Sequence, residues 1–294
     1  IQGIAVAGPR IAGMAMVRDL YSGTKMASIM SLAMIIFGLV PAVAPLIGQA
    51  INNAFGWHSI FIAMAALGVV LSIWFGLRQP ESHPVEARRP MRIGTLWDAT
   101  KMAFSNRVFR YSVAVLTCLY GALFTQISLI QPIFETYYDK AESFPLWFGA
   151  IALLTMSSSV INAKIVGRLG MRKIIQSVLI VQIILASTVT LVQLTTGTLP
   201  FWMFFIWATS VMFVVGFTFG NLNALSMEPM GKIAGLAASI SGSICTVLAA
   251  FISIGVSLVF DGTPLALTIG VLACATSGFI LMRLLGPRRA TDES

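Results

Sequence analysis

Apolar runs long enough to cross a bilayer follow one another along this chain, near residues 1–17, 28–51, 57–77, 111–134, 146–166, 174–194, 200–222, 233–259 and 264–285. About 17–25 apolar residues are needed for a helical span. In lipid the backbone must satisfy its own hydrogen bonds, which leaves helices or closed barrels. Barrel strands alternate apolar and polar residues; these runs do not, so the chain reads as an all-α membrane protein with nine spans. Composition agrees. The 294 residues are 57% hydrophobic and 10% charged, against about 25% charged in soluble domains, and the mean hydropathy is +0.88. A water-soluble globule could not hide so much apolar surface.

The basic residues test this segmentation. Cytoplasmic loops carry an excess of Lys and Arg. Taking the connections alternately, one set holds 17 of the 19 basic residues, from Arg18 and Lys25 through Arg78–Arg110, Lys164–Lys173 and Lys232 to the tail. The other set holds only Lys140, and Arg10 lies within a run. A miscounted span would have mixed the two sets. The pattern predicts a multi-pass plasma (inner) membrane protein with its C-terminus in the cytoplasm. It also accounts for the net charge of +8 without nucleic acid, which would require basic residues gathered on one face. The chain opens with Ile1 rather than Met, and its start is expected to be missing.

The longest connection, 78–110, begins Pro- and Arg-rich and becomes amphipathic through Leu96, Trp97, Met102 and Phe104. It reads as a flexible cytoplasmic linker followed by a short helix in the headgroup region. The expected organisation is therefore 1–77 as the remainder of an N-terminal helical half, 78–110 as linker, 111–285 as a six-helix half, and 286–294 as a cytoplasmic tail. Short outer loops around one long inner loop fit a transporter of two six-helix halves.

Polar and conformationally special residues within the runs are the candidate site. Intramembrane polar groups are costly and often functional. Gln126 and Gln131, with Pro132 beside them, and Asn162 are candidates for lining a substrate cavity; Gln182, Asn221 and Asn223 are also placed at depth, and any one amide could instead bond across to a neighbouring helix. Arg10 is the one basic residue deep in a run, and it needs water or a carboxylate partner; none of the Asp or Glu residues lies deep in any run. Pro41 and Pro45, within Gly38–Gly48, remove two backbone donors from one helix face and bend it, either as a static kink or as a pivot. Small residues (Gly216 with Gly220; Gly235, Ser239 and Gly242) mark close helix packing or a moving surface. Trp202, Phe204, Phe205 and Trp207 read as an outer interfacial belt. Cys118, Cys245 and Cys274 read as small buried hydrophobes, with no metal-ligand spacing. His58 and His83 lie at a span edge and in the linker, and no nucleophile motif accompanies them, so no intramembrane enzyme, metal site or cofactor is expected.

Several of these stretches resemble the major facilitator superfamily, and specifically its Bcr/CflA-type drug-resistance transporters. Gln2-Gly3 through Met16-Val17-Arg18-Asp19-Leu20-Tyr21 is similar to that family's fourth helix and following loop. The run 38–49 resembles the fifth-helix motif of the antiporter branch, with Ala44-Pro45 for the usual Gly-Pro and Gly48-Gln49 for the usual Gly-Gly. Phe55-Gly56-Trp57-His58-Ser59-Ile60-Phe61 resembles the start of the sixth helix. Gly167-Arg168-Leu169-Gly170-Met171-Arg172-Lys173 resembles the second copy of the cytoplasmic motif between helices eight and nine. Met227-Glu228-Pro229-Met230-Gly231-Lys232-Ile233-Ala234-Gly235-Leu236-Ala237-Ala238-Ser239 resembles the Bcr/CflA loop leading into helix eleven. The resemblance implies twelve helices in the intact protein, of which this chain holds the fourth to twelfth. It also implies a conformational or gating role for Gly38, Pro41, Pro45, Gly48, Arg18, Asp19, Gly167, Arg168, Gly170, Arg172 and Gly235.

The function so implied is proton-coupled export of small drug-like molecules, with the proton gradient as energy source, the lipid bilayer, substrate and protons as partners, and a monomeric state. The coupling acid would lie in the three preceding helices. A carrier for an endogenous metabolite, such as an amino acid or sugar, is the alternative; a scaffold without transport has no supporting feature.

Overall fold

The computed structural model describes residues 43–78 and 93–286, with positions 16 and 40 as isolated helical residues. They belong to two compact units, one ending at Met91 and the other beginning at Arg92. Among the described residues there is no strand, and seven helices are long and apolar enough to cross a membrane. These seven correspond to the expected spans from 57–77 onward. The expected span 1–17 and most of 28–51 lie outside the described residues.

In the first unit, α1 covers residues 43–55 and α2 covers His58–Arg78. The turn between them passes through Gly56 at φ +80°, a conformation that favours glycine. Its amide donates to Asn52 O at 2.9 Å and so closes the end of α1. His58 stacks on Trp57 with ring centroids 3.5 Å apart.

The second unit begins with α3 (Ile93–Ser105) and continues with α4 (Arg107–Thr136), α5 (Phe144–Leu169), α6 (Met171–Thr196), α7 (Phe201–Met227), a 3-10 turn (Glu228–Ile233), α8 (Ala234–Ser257) and α9 (Leu265–Leu285). Local chemistry sets the boundaries. Asn106 separates α3 from α4 and caps the latter, its side chain accepting from Phe109 N at 3.1 Å, which satisfies one orphan donor of the first turn. Pro145 stands in the first turn of α5, and Pro200 and Pro264 directly precede α7 and α9, where a missing N–H costs nothing. Gly170 (φ +79°) and Gly197 (φ +72°) end α5 and α6.

Helix α4 forms the centre, packed by α7, α8 and α9; α9 also packs on α6, and α7 on α5 and α6. Two buried apolar clusters occupy opposite ends of this bundle. One joins Phe109 and Leu116 to Ile175, Leu179, Leu222 and Met282; the other joins Ile130 and Phe134 to Ala186, Phe204, Trp207 and Leu267. Large apolar side chains also point outward, among them Ile184, Ile206, Phe251 and Ile280, each more than half exposed. A surface of that kind suits lipid, not water.

The aromatic residues at the start of α7 depart from the expected belt. Trp202 is exposed, but Phe204, Phe205 and Trp207 are buried. Phe204 meets Phe134 and Tyr138, and Phe205 meets Trp147. A helix that is aromatic all round must bury some of its rings, and the helical period turns Phe204 toward α4 and Phe205 toward α5.

Candidate functional site

Central helix α4 is buried on three sides, and the remaining strip is the candidate functional surface. Tyr120, Phe124, Ser128, Gln131 and Glu135 recur every three or four residues, so they share one face. Tyr120 and Phe124 are half-buried, and Ser128, Gln131 and Glu135 are exposed. The Tyr120 ring lies 4.5 Å from Phe219 of α7 and 6.1 Å from Phe124. Pro132 inside α4 has no N–H to offer Ser128 O, which weakens the helix ladder beside Gln131; separately, the Ser128 hydroxyl pairs with the Ser253 hydroxyl of α8 at 3.2 Å. The strip thus offers aromatic faces and one exposed amide, groups that hold an uncharged or aromatic molecule, with the exposed Glu135 carboxylate at its end, in the last turn of α4. Among the described residues no cluster of His, Cys, Asp and Glu could hold a metal.

The expected cavity residues separate in the structure. Gln131 belongs to the exposed strip. Gln126 is wholly buried and its Nε2 donates to Ala208 O of α7 at 2.8 Å, which makes it a tie between helices. Asn162 of α5 accepts from Asn221 Nδ2 of α7 at 2.9 Å, so these two amides are partners. Arg10 lies outside the described residues.

The residues expected to gate fare differently. Gly38, Pro41, Arg18 and Asp19 lie outside the described residues. Pro45 and Gly48 are helical within α1. Gly170 requires glycine by its positive φ, whereas Gly167 is helical and exposed with open space around it, and so makes no turn. Gly235 is likewise helical in α8 with open space at its Cβ position. Arg168 lies exposed in the last turn of α5, where the carbonyl ends of the helix favour a cation. Arg172 Nη1 donates to Gly286 O at 2.9 Å, and Arg107 Nη2 donates to Leu284 O at 2.6 Å. Two arginines at the starts of α6 and α4 thus cap the carbonyl end of α9, whose last four carbonyls have no partner within the helix.

Close approaches show which small residues pack. A Cβ on Gly216 would stand 1.8 Å from Ser158 Oγ of α5, while Gly220 and Gly242 have open space. Sequence reasoning passed over Gly121, where a Cβ would come within 2.9 Å of Ile252 of α8, and Gly270, with Val256 of α8 at 2.9 Å. A signal for Gly121 was present: Thr117, Gly121 and Thr125 repeat a small residue every fourth position.

At the opposite end from the arginine caps, Tyr137 Oη accepts from Leu199 N and Tyr138 Oη donates to Leu199 O, both at 2.9 Å. Burial, and then the neighbouring Tyr137, push the Tyr138 hydroxyl well above the ordinary phenol range. The Asp261 carboxylate accepts from the Thr263 hydroxyl (2.7 Å) and amide (3.0 Å). Those two bonds hold it below the usual carboxylate range.

The chain is 28% identical to an uncharacterized MFS-type transporter, YdgK, of Bacillus subtilis, in a match over 86% of this chain and 63% of that protein. It is 26% identical to a bicyclomycin resistance protein homolog of Haemophilus influenzae (92% of this chain, 68% of that protein). It is 25% identical to the multidrug resistance protein MdtL of Salmonella heidelberg (100% and 72%). The match thus spans less than two thirds of the Bacillus protein's length. Residues 1–254 match the family model of the Major Facilitator Superfamily. That is a family of transporters, not enzymes, which agrees with the all-α bundle of apolar helices. With most of its length matched, this chain belongs to the Major Facilitator Superfamily.

Proposed function

We propose that the protein exports small drug-like molecules across the inner membrane in exchange for protons. The exposed strip of α4 carries this reading: within a helix otherwise packed into the core, Tyr120, Phe124 and Gln131 offer stacking faces and one hydrogen-bonding amide. That chemistry suits molecules of varied shape and little charge, and two matched relatives carry bicyclomycin resistance and multidrug resistance in their names. Membership in a transporter family supplies the transport part of the proposal.

Proton coupling rests on the resemblance of residues 38–49 to the fifth-helix motif of the antiporter branch. Among the described membrane-crossing helices no Asp or Glu lies deeper than about one turn, so a coupling carboxylate would have to lie outside them. The protein, expressed in a bacterium stripped of its own drug pumps, is expected to raise tolerance to bicyclomycin or another antibiotic and to lower its accumulation. Gln131→Leu and Tyr120→Ala should each reduce that effect at unchanged protein level. Unaltered tolerance and accumulation across a drug panel would remove the drug assignment. Transport of an amino acid or sugar by reconstituted vesicles would replace it.

A further inference from the structure

A groove of about 400 Å³ runs between α6 and α7, within the range of small-molecule sites. Its walls include Val181, Leu185, Ile206 and Phe213. Val181 and Ile206 are 55% and 65% exposed, so the groove opens on the apolar outer surface. At its base lies Gln182, only 2% exposed, whose Nε2 has no hydrogen-bond partner. The Ser210 hydroxyl lies 3.1 Å from Gln182 Oε1 and 2.6 Å from Trp207 O. One hydroxyl has one proton to give. If Ser210 gives it to Trp207, the amide can turn its N–H toward Ser210 Oγ, which frees its carbonyl instead. In either setting one polar atom of the amide is left over, at a site where an unpaired polar group is costly.

Depth restricts what can meet it. Gln182 is the twelfth of the 26 residues of α6, about 16 Å along the axis at 1.5 Å per residue. That is the middle of a hydrocarbon layer about 30 Å thick. A phospholipid lying in the groove brings only methylenes to this level, because its ester and headgroup atoms stay at the boundary. A hydroxyl both donates and accepts, and so pairs with either setting of the amide.

We propose that the groove between α6 and α7 is a binding site for an uncharged, lipophilic alcohol, which enters from the acyl region and hydrogen-bonds Gln182. The site is separate from the α4 strip, and its occupancy does not depend on the export reading.

The test is photolabelling of the protein in nanodiscs of phosphatidylethanolamine and phosphatidylglycerol, with azi-octanol and the matching azi-octane. Azi-octanol should label segments 178–185 and 206–217, and excess 1-octanol should suppress that labelling. Azi-octane should label them about fivefold less, the factor expected of one hydrogen bond. Gln182→Leu, which keeps the volume and removes the polar atoms, should lower azi-octanol labelling about fivefold and leave azi-octane unchanged. Val181→Trp, a change at an exposed position that fills the groove, should lower labelling by both. Equal labelling by alcohol and alkane, no competition by 1-octanol, or indifference to either substitution would overturn the proposal and leave a groove filled by acyl chains.

Discussion

Two glutamines five positions apart on α4 show how far burial decides a residue's role. Gln126 is sealed between α4 and α7, and its acceptor Ala208 O belongs to a helix carbonyl; its own Oε1 has no partner. Replacing it with Leu removes one interhelical bond, worth about 0.6 kcal/mol on average in membranes, but also removes an unpaired buried oxygen. Gln126→Leu is therefore expected to shift thermal unfolding in detergent by no more than about 1 kcal/mol in either direction, and to leave drug efflux near normal. Gln131→Leu is expected to do the reverse, with stability unchanged and efflux reduced. Equal loss of efflux in both variants would place Gln126 in the transport path after all. Nothing in the sequence distinguished the two: both are amides in one apolar run, and only the packing of α7 against one face of α4 separates them. A titratable contrast comes from Asp261. Its folded pKa is depressed by Thr263, so its bonds contribute stability above the unfolded value, and this is lost as pH falls through the lower folded value. Thr263→Ala should return the Asp261 pKa toward 3.8, its ordinary value, as read by carboxyl chemical shift against pH.

At the scale of elements, small residues decide how closely helices approach, and only some of the glycines in the sequence do so. Gly216→Ala would press a methyl group against Ser158 of α5 and is expected to destabilise the fold by about 1–3 kcal/mol, the usual cost of overpacking. Gly220→Ala, with open space around it, should be neutral or slightly stabilising, because it removes glycine's backbone freedom from a helix. The double variant Gly216→Ala with Ser158→Gly should recover most of the loss, since Ser158 makes the two closest contacts, at 1.8 and 3.0 Å, ahead of Ser159 Oγ at 3.1 Å. Additive effects in that cycle would show that the close α5–α7 crossing is absent in the folded protein. Spacing pointed to Gly216 and Gly220 equally, and the family resemblance to Gly167 and Gly170, but neither says which side of a helix meets a neighbour. Gly121 and Gly270 escaped notice for the same reason. Helix positions themselves were plain in the apolar runs, because span length is imposed by the bilayer and not by tertiary contacts. The ends shifted where caps intervene: Asn106 starts α4 about one turn earlier than the apolar run suggested.

Taken as a whole, the six-helix unit has two unlike ends, and its topology follows from which end meets the cytoplasm. At one end stand Arg107, Arg110, Arg168, Arg172, Lys173 and Arg283, and the bonds from Arg107 and Arg172 to the last carbonyls of α9 bring the starts of α4 and α6 to the end of α9. At the other end Lys140 lies over the Phe201 ring at 5.1 Å, beside the tyrosines that hold Leu199. Two interactions favour the arginine end as structured: a cation near helix carbonyls gains from the dipole, and the same charges resist transfer across the membrane. Arg172→Ala should therefore loosen the end of α9, raising hydrogen exchange around 282–286 and costing about 1 kcal/mol at this half-exposed site. The side on which that end lies is a separate matter, and cysteine labelling resolves it. With Cys118, Cys245 and Cys274 replaced by Ala, single Lys140→Cys and Arg168→Cys variants would be treated with a membrane-impermeant maleimide. Lys140→Cys should label in intact spheroplasts, and Arg168→Cys only after the membrane is opened, because positive charge is retained on the cytoplasmic face. Labelling of both positions from the same side would contradict the antiparallel course of α4 to α6 across the bilayer, and with it the reading of α5 as a span. Labelling of Arg168→Cys alone in intact spheroplasts would keep the spans and invert the protein in the membrane.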